Sequence, residues 1–404
     1  MLAGIQRRFF LFNAFDVFII YKKEGDIITT KYYKRKSRKC QEYTEIDKNI
    51  LIVDGKKYIA DVDTGELLQI LEDVSSTGKE RDWVLHKKEN LSVESIYRNI
   101  SDCYLNIPDE TNAQKWASRA NRLHNCASRL IFNVYVGLSG EYKKIKGMNS
   151  CKIRLCPMCS WRRSMKIHSQ CRKIIEAMES EQKYDYLLLT LTVPNVPASQ
   201  LNNKVDDMMN AWNRFIGYKR FENAVIGWYR ALEVTHNVYR KSKSYNTYHP
   251  HFHCILAVPK DKYFSSNYDF YIGQAEWLSM WQKAMNDFTI TQVDVRKVKS
   301  GAGNDKDIIG AICEIAKYTV KTGDYVIPSD WIMSCNTVMT LSEVLAYRHL
   351  VAFGGVMKEW HKKLNLDDPI DGDLTADNED VNGELLRTEC YIWNFGYQQY
   401  IKRV

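Results

Sequence analysis

Tyr248-His249-Pro250-His251-Phe252-His253-Cys254-Ile255-Leu256 is the stretch on which the reading of this chain turns. The 404-residue protein has nine histidines, and three of them fall within five positions here. The run continues as Ala257-Val258, apolar and β-type. Alternate residues of a strand share a face, so His249, His251 and His253 would project together. Neighbouring imidazoles on a rigid strand form a ready metal site, since His is the commonest metal ligand. A buried polar pair or a surface histidine cluster is the bland alternative. The flanking segments decide between them.

Immediately upstream, Val225 to Thr235 is a second strand, with Glu233 between Leu232 and Val234. The basic segment His236 to Tyr248 would join the two strands as an antiparallel hairpin. Glu233 would then stand opposite His251 and His253. Two imidazoles and one carboxylate leave coordination positions open for a substrate, as a catalytic metal needs. A surface glutamate on a half-exposed strand is the competing reading.

Further out, Tyr186 to Val193 predicts an interior strand, apolar for most of its length. Helices are expected from about Ala198 to Ile216 and from about Gly273 to Asn286, with a strand at Thr291 to Val298. Ile308 to Lys321 reads as an amphipathic helix on which Glu314, Lys317, Tyr318 and Lys321 share a face. Alone, that face is an ordinary salt-bridged helix. Beside the histidine strand it looks like a nucleophile helix. Helices are also expected at Ser342 to Phe353 and from Gly354-Gly355 to about Leu364. Tyr391 to Tyr397 reads as a terminal strand.

Cysteine usage gives a second metal signal. Cys156 and Cys159 form a knuckle around Pro157, with Cys151 five residues earlier. Cys126 is the chosen fourth ligand, with His168 and Cys171 as rivals. Four thiolates close a structural zinc site and leave no position for chemistry. Buried free thiols are the alternative. The count of eleven cysteines is odd, which fits a reducing cytoplasm better than a disulfide framework. Cys126 itself falls in a pattern that predicts a helix from Thr111 to Tyr135.

Net charge is +8, a moderate excess. Its distribution says more. Cys151 to Lys173 holds seven Lys/Arg and no Asp/Glu, whereas Asp367 to Glu384 holds eight Asp/Glu and no Lys/Arg. Arg154, Arg162, Arg163 and Lys166, on a metal-braced element, are expected to grip DNA phosphates. The acidic stretch reads as a solvated loop. The first 110 residues read as short strands with hairpin turns, plus a basic run at Lys34 to Lys39. Arg7-Arg8 precedes an apolar run broken by Asn13 and Asp16, which is neither a signal peptide nor a membrane span.

The ordered set of motifs resembles the plasmid rolling-circle replication initiators of the HUH endonuclease superfamily, in the single-tyrosine Gram-positive plasmid family. The resemblance rests on Cys126, Cys151, Cys156 and Cys159 with Trp161-Arg162-Arg163, and on Leu187 to Thr192 and Glu233. It rests equally on His249 to His253, on Glu314 with Lys317-Tyr318, and on Gly354-Gly355 through Asp368. It covers roughly residues 115 to 400.

The resemblance implies an α+β fold: an HUH core, an antiparallel sheet with flanking helices, plus a four-cysteine zinc element and N- and C-terminal additions. The expected divisions are 1–110, accessory and β-rich; 111–180, zinc-binding and DNA-contacting; 181–325, nickase core; and 326–404, helical and acidic. It further implies that His251 and His253 hold a divalent ion, Mg²⁺ or Mn²⁺. Tyr318 would nick one strand at a plasmid origin, single-stranded or in a hairpin, and remain on the 5′ phosphate. Glu314 would activate water at termination. A host helicase and polymerase would be partners, with no membrane. A relaxase or single-tyrosine transposase shares this chemistry. From other classes, a non-haem iron oxygenase fits the two-histidine, one-carboxylate set, and a non-catalytic zinc regulator fits the cysteines and arginines.

Overall fold

The computed structural model describes residues 50–53, 56–74, 80–107, 109–137, 140–260, 262–265, 269–298, 320–375 and 383–403. In chain order the elements begin with β1 (Ile50–Val53), β2 (Lys56–Ala60), β3 (Leu67–Gln69), α1 (Trp83–Leu105) and α2 (Glu110–Asn125). Next come β4 (Arg129–Gly137), β5 (Gly140–Met148), α3 (Pro157–Glu181), β6 (Tyr184–Thr192), α4 (Ala198–Ile216) and α5 (Lys219–Ala224). β7 (Gly227–Asn237), β8 (Thr247–Pro259), α6 (Gln274–Met285) and β9 (Val293–Lys297) follow. The chain closes with α7 (Trp331–Val344), β10 (Val351–Gly354), α8 (Gly355–Lys363), β11 (Glu384–Asn394) and β12 (Gln399–Arg403).

These elements form two compact units. One comprises Met1–Asn149, Ile332–Met339 and Asn382–Val404; the other comprises Ser150–Trp331 and Thr340–Val381. The first holds a three-stranded sheet, β1-β2-β3, and a four-stranded sheet, β12-β11-β4-β5. All pairings in both are antiparallel. Phe132 of β4 makes edge contacts with Trp83 of α1 and with Tyr391 of β11, at 5.6 and 5.9 Å between ring centres.

The second unit is built on a five-stranded antiparallel sheet ordered β10-β7-β8-β6-β9, with the histidine strand in the middle. One face is apolar. Leu201, Val205, Met208, Trp212 and Phe215 recur at helical spacing along α4 and are buried. With Trp277 and Trp281 of α6 they cover that face, where Phe252 meets Trp212 at 5.9 Å and Trp281 at 6.1 Å. Alternation puts the histidines flanking Phe252 on the opposite face. Glycine is required where β10 runs into α8: a Cβ at Gly354 would collide with the Trp228 ring, and Gly355 has φ +54°.

Several local expectations are corrected. The first 110 residues contain the 23-residue helix α1, capped by Asp82, whose side chain accepts from Leu85 N. The helix expected over 111–135 stops at Asn125. Ala127 is left-handed at φ 51°, and Leu130 and Ile131 belong to β4. Ser342 to Phe353 is not a helix but the end of α7, a turn with Tyr347 at φ 57°, and strand β10. The strand expected from Tyr391 to Tyr397 is β11, which starts earlier and ends at Asn394 before a turn at 395–398, and β11 lies between β12 and β4. The expected helix at 308–321 falls outside the described residues apart from its end. There Lys321 is extended, at φ −83° and ψ 146°.

The acidic stretch is not a free loop over residues 367–374. Arg162 Nε donates to the Leu374 carbonyl at 3.0 Å, and Arg163 Nε to the Ile370 carbonyl at 3.1 Å. Lys166 Nζ pairs with Asp367 at 2.7 Å, and Arg154 with Asp371 at 3.4 Å. Arg162, Arg163 and Lys166 are 1%, 5% and 2% exposed. In this packing Arg162, Arg163 and Lys166 are not openly presented. Arg162 Nε, Arg163 Nε and Lys166 Nζ bond to the loop that folds back onto α3, while the terminal nitrogens of Arg163 donate to the Ile153 and Lys152 carbonyls.

Candidate metal centre and its surroundings

Register places the site. Glu233 of β7 pairs with His251 of β8, and His251 in turn faces Thr192 of β6; His253 lies between Ala231 and Thr190. Glu233, His251 and His253 therefore share one sheet face on adjacent strands. One ligand atom from each lies within 4.8 Å of the others. His253 Nε2 is 2.9 Å from Glu233 Oε2, His251 Nε2 is 3.5 Å from it, and the two Nε2 atoms are 3.2 Å apart. His249 is outside this group; its ring stacks on His251 with centres 5.0 Å apart.

The second-layer contacts aim these rings. His251 Nδ1 lies 3.0 Å from the His249 carbonyl, which can only accept, so Nδ1 donates there and Nε2 is the nitrogen turned toward Glu233 and His253. His253 Nδ1 lies 3.3 Å from Thr190 Oγ1. Thr190 was missed from sequence, although Thr190 breaks the apolar run Leu187 to Leu191 and shares a face with Thr192. Two nitrogen lone pairs 3.2 Å apart repel unless a proton or a cation lies between them. The donor set thus fits a divalent ion.

Electrostatics point the same way. Burial opposes ionisation of Glu233, but hydrogen bonds from His251 and His253 outweigh it and hold the carboxyl well below the usual carboxylate range. Burial lowers His249, with a smaller contribution from His251. Lys321 Nζ stands 3.5 Å from Glu233 Oε1, the oxygen turned away from the imidazoles. Lys321 N also donates to Asp324 Oδ2 at 3.2 Å, closing the turn that follows. The Asp324 carbonyl lies 3.2 Å from Nδ1 of the buried His236. Of the expected nucleophile face, only Lys321 is described; Glu314, Lys317 and Tyr318 lie outside the described residues.

The second group is cysteine-only. Cys126, Cys151, Cys156 and Cys159 are all buried. Cys151 and Cys159 sulfurs are 3.6 Å apart, close to the roughly 3.8 Å edge of a tetrahedron with ~2.3 Å metal–sulfur bonds. The knuckle also starts a helix. Pro157 opens α3, where its missing N–H costs nothing, and Cys159 N points at Cys156 Sγ at 3.4 Å. His168 and Cys171, the rival ligands, are not part of the group.

Residues 142–401 match the family model described as a replication protein. The chain belongs to this family of plasmid replication proteins. A relative called Protein rep, from Bacillus amyloliquefaciens, is 38% identical over 355 residues, 82% of this chain and 97% of its own length. A second Protein rep, from Streptococcus pneumoniae serotype 2, is 32% identical over 334 residues, 82% of this chain and 95% of its own. A shorter Replication protein from Staphylococcus aureus is 35% identical over 239 residues, 58% of this chain and 98% of its own. No solved structure matches. The family's matched span contains the His/Glu group, the acidic loop and three of the four cysteines. Among the described residues of this replication protein, no helix is long and apolar enough to cross a membrane.

Proposed function

We propose that this chain initiates rolling-circle replication as an HUH-type nickase, cutting one DNA strand at a plasmid origin through a 5′-phosphotyrosine on Tyr318. The observation that carries the reading is the ion pair of Lys321 with Glu233. Lys321 follows Tyr318 by three residues, and three residues of chain reach at most roughly 11 Å. In this reading the tyrosine acts at the two-histidine, one-carboxylate group. Such a group alone also suits an iron oxygenase. Membership of a replication family favours DNA as the substrate.

In this mechanism Glu233, His251 and His253 hold Mg²⁺ or Mn²⁺, and the four cysteines hold Zn²⁺. The bound divalent ion supplies charge neutralisation at the scissile phosphate. The Tyr318 oxygen attacks phosphorus, the bond to the 3′ oxygen breaks, and that oxygen takes up a proton and leaves as the primer hydroxyl. A free phenol is only about one part in a thousand ionised at neutral pH. Lys317 and Lys321 favour the phenolate by their charge. The phosphotyrosine ester conserves bond energy, so strand transfer needs no nucleotide cofactor. At termination Glu314 takes a proton from water, which hydrolyses the ester. Host helicase and polymerase would extend the 3′ end.

The test uses supercoiled DNA bearing the origin, with Mg²⁺ or Mn²⁺. The parent is expected to give open circles and a covalent 5′ adduct. Tyr318→Phe should lose both by on the order of a thousandfold or more. Glu314→Ala should still form the adduct but fail to release it. A Tyr318→Phe protein that cuts as fast as the parent ends the nucleophile assignment.

A further inference from the structure

The loop joining β7 to β8 is built more firmly than a connection needs to be. Asn237 Nδ2 donates to Ser242 Oγ at 2.9 Å, and Asn237 Oδ1 accepts from Tyr239 N at 3.1 Å. Ser242 Oγ also accepts from Ser244 N at 3.2 Å, and Thr247 Oγ1 donates to the Ser244 carbonyl at 2.5 Å. Asn246 is left-handed at φ 56°, and its Oδ1 lies 3.0 Å from His236 Nε2. The His236 ring is stacked on Tyr248, with centres 4.4 Å apart and planes 7° from parallel. Polar side chains thus fix a projection that has almost no apolar core of its own.

What this projection presents is basic and aromatic. Tyr239 is 64% exposed, and Lys241 and Lys243 are exposed. Arg240 pairs with Asp330 at 3.1 Å. Lys241 and Lys243 make no ion pair among the described residues. Two unneutralised ammonium groups beside an exposed phenol ring suit a polyanion with stackable faces. Position adds to this. Asn237, where the loop begins, is four residues beyond Glu233 on the same strand, or roughly 13 Å at about 3.3 Å per residue. That is about four nucleotide steps at ~3.4 Å each.

We propose that this projection is a second DNA contact, in which Lys241 and Lys243 hold the phosphate backbone a few nucleotides from the scissile bond and Tyr239 stacks on an unpaired base. It rests on the reading that the His/Glu group acts on DNA. It adds the hairpin to the phosphate contacts expected of Arg162, Arg163 and Lys166, which are buried against the acidic loop in this packing.

The test compares the full chain with Lys241→Ala/Lys243→Ala and with Tyr239→Ala. The probes are a fluorescein-labelled 25-nucleotide single strand and a 25-base-pair duplex, both of arbitrary sequence, titrated from 50 to 200 mM salt. The double variant should lower the slope of log affinity against log salt by about 1.8 on duplex and about 1.4 on single strand. Tyr239→Ala should weaken the single strand by at least about fivefold and leave the duplex unchanged. Both variants should keep the parent's thermal midpoint and Mn²⁺ affinity. Unchanged slopes in the double variant, or equal loss on both probes for Tyr239→Ala, overturn the proposal. If the slopes fall as expected but the parent never nicks origin DNA, the nickase reading fails and the DNA contact stands.

Discussion

Glu233 and Glu389 are both glutamates in the middle of antiparallel strands, and both are held below the usual carboxylate range, yet their surroundings commit them to different work. Glu389 of β11 is met by Lys402 at 2.7 Å, Arg387 at 2.9 Å and Lys143 at 3.3 Å, while Tyr391 OH donates to it at 2.8 Å. Burial opposes its ionisation, but the bonds from Lys402 and Arg387 prevail and hold it at about 2. Glu233 faces two imidazoles on the adjacent strand and one lysine at its outer oxygen. Ammonium and guanidinium groups have no lone pair to offer, so the Glu389 cluster is closed to a metal. Neutral imidazoles do have one, so the Glu233 cluster can exchange a proton for a divalent ion. The partner's chemistry, not the carboxylate, separates a structural charge cluster from a candidate metal site.

The largest effect expected from this contrast is on folding. Glu389→Gln leaves three cations without their counter-charge and should destabilise the unit by about 3 kcal/mol in urea titration, with Mn²⁺ affinity unchanged. Glu233→Gln should cost the metal-free protein no more than about 1 kcal/mol. The same contrast has a pH signature. Glu389 is depressed on folding, so its contribution is complete above the unfolded value near ~4.3 and is lost as pH falls toward about 2. The Gln variant should therefore show a shallower acid limb than the parent. Equal acid limbs would break the comparison at its structural end.

Metal affinity tests the other end. His253→Ala should weaken Mn²⁺ binding by roughly a hundredfold in calorimetry, whereas Lys402→Ala should leave it untouched. Comparable losses in the two variants would show that the clusters are not distinct in kind. The smallest expected effect sharpens the picture. Thr190→Val removes the oxygen beside His253 Nδ1 and should weaken Mn²⁺ binding by about tenfold. Thr190→Ser should restore it. Loss in both variants would point to packing on β6 rather than to the hydroxyl.

Local pattern made much of the second unit legible. The helix from Ala198 to Ile216 has the expected limits because its apolar positions repeat at helical spacing with no competing signal. The β7–β8 hairpin and its Glu233–His251 pairing followed from alternation and a short connection. Where two periodicities overlap, the reading failed. Leu130 and Ile131 continued the helical spacing of α2, but left-handed Ala127 interrupts it and the chain then pairs with β5 and β11. The fate of the basic residues was not readable at all. Lys166 meets Asp367 across 201 positions, and Arg162 meets Leu374 across 212. Charge counts along the chain showed a basic stretch and an acidic one without showing that they neutralise each other.

By itself the sequence determined which residue types could ligate, their order, and the strand alternation that puts His251 and His253 on one face. Those are properties of covalent spacing and backbone period. Tertiary structure decided which threonine steadies His253 and which cations are already engaged. Each of those outcomes depends on strand register and on partners far apart in the chain, where a shift of one residue would turn every side chain to the other side of the sheet.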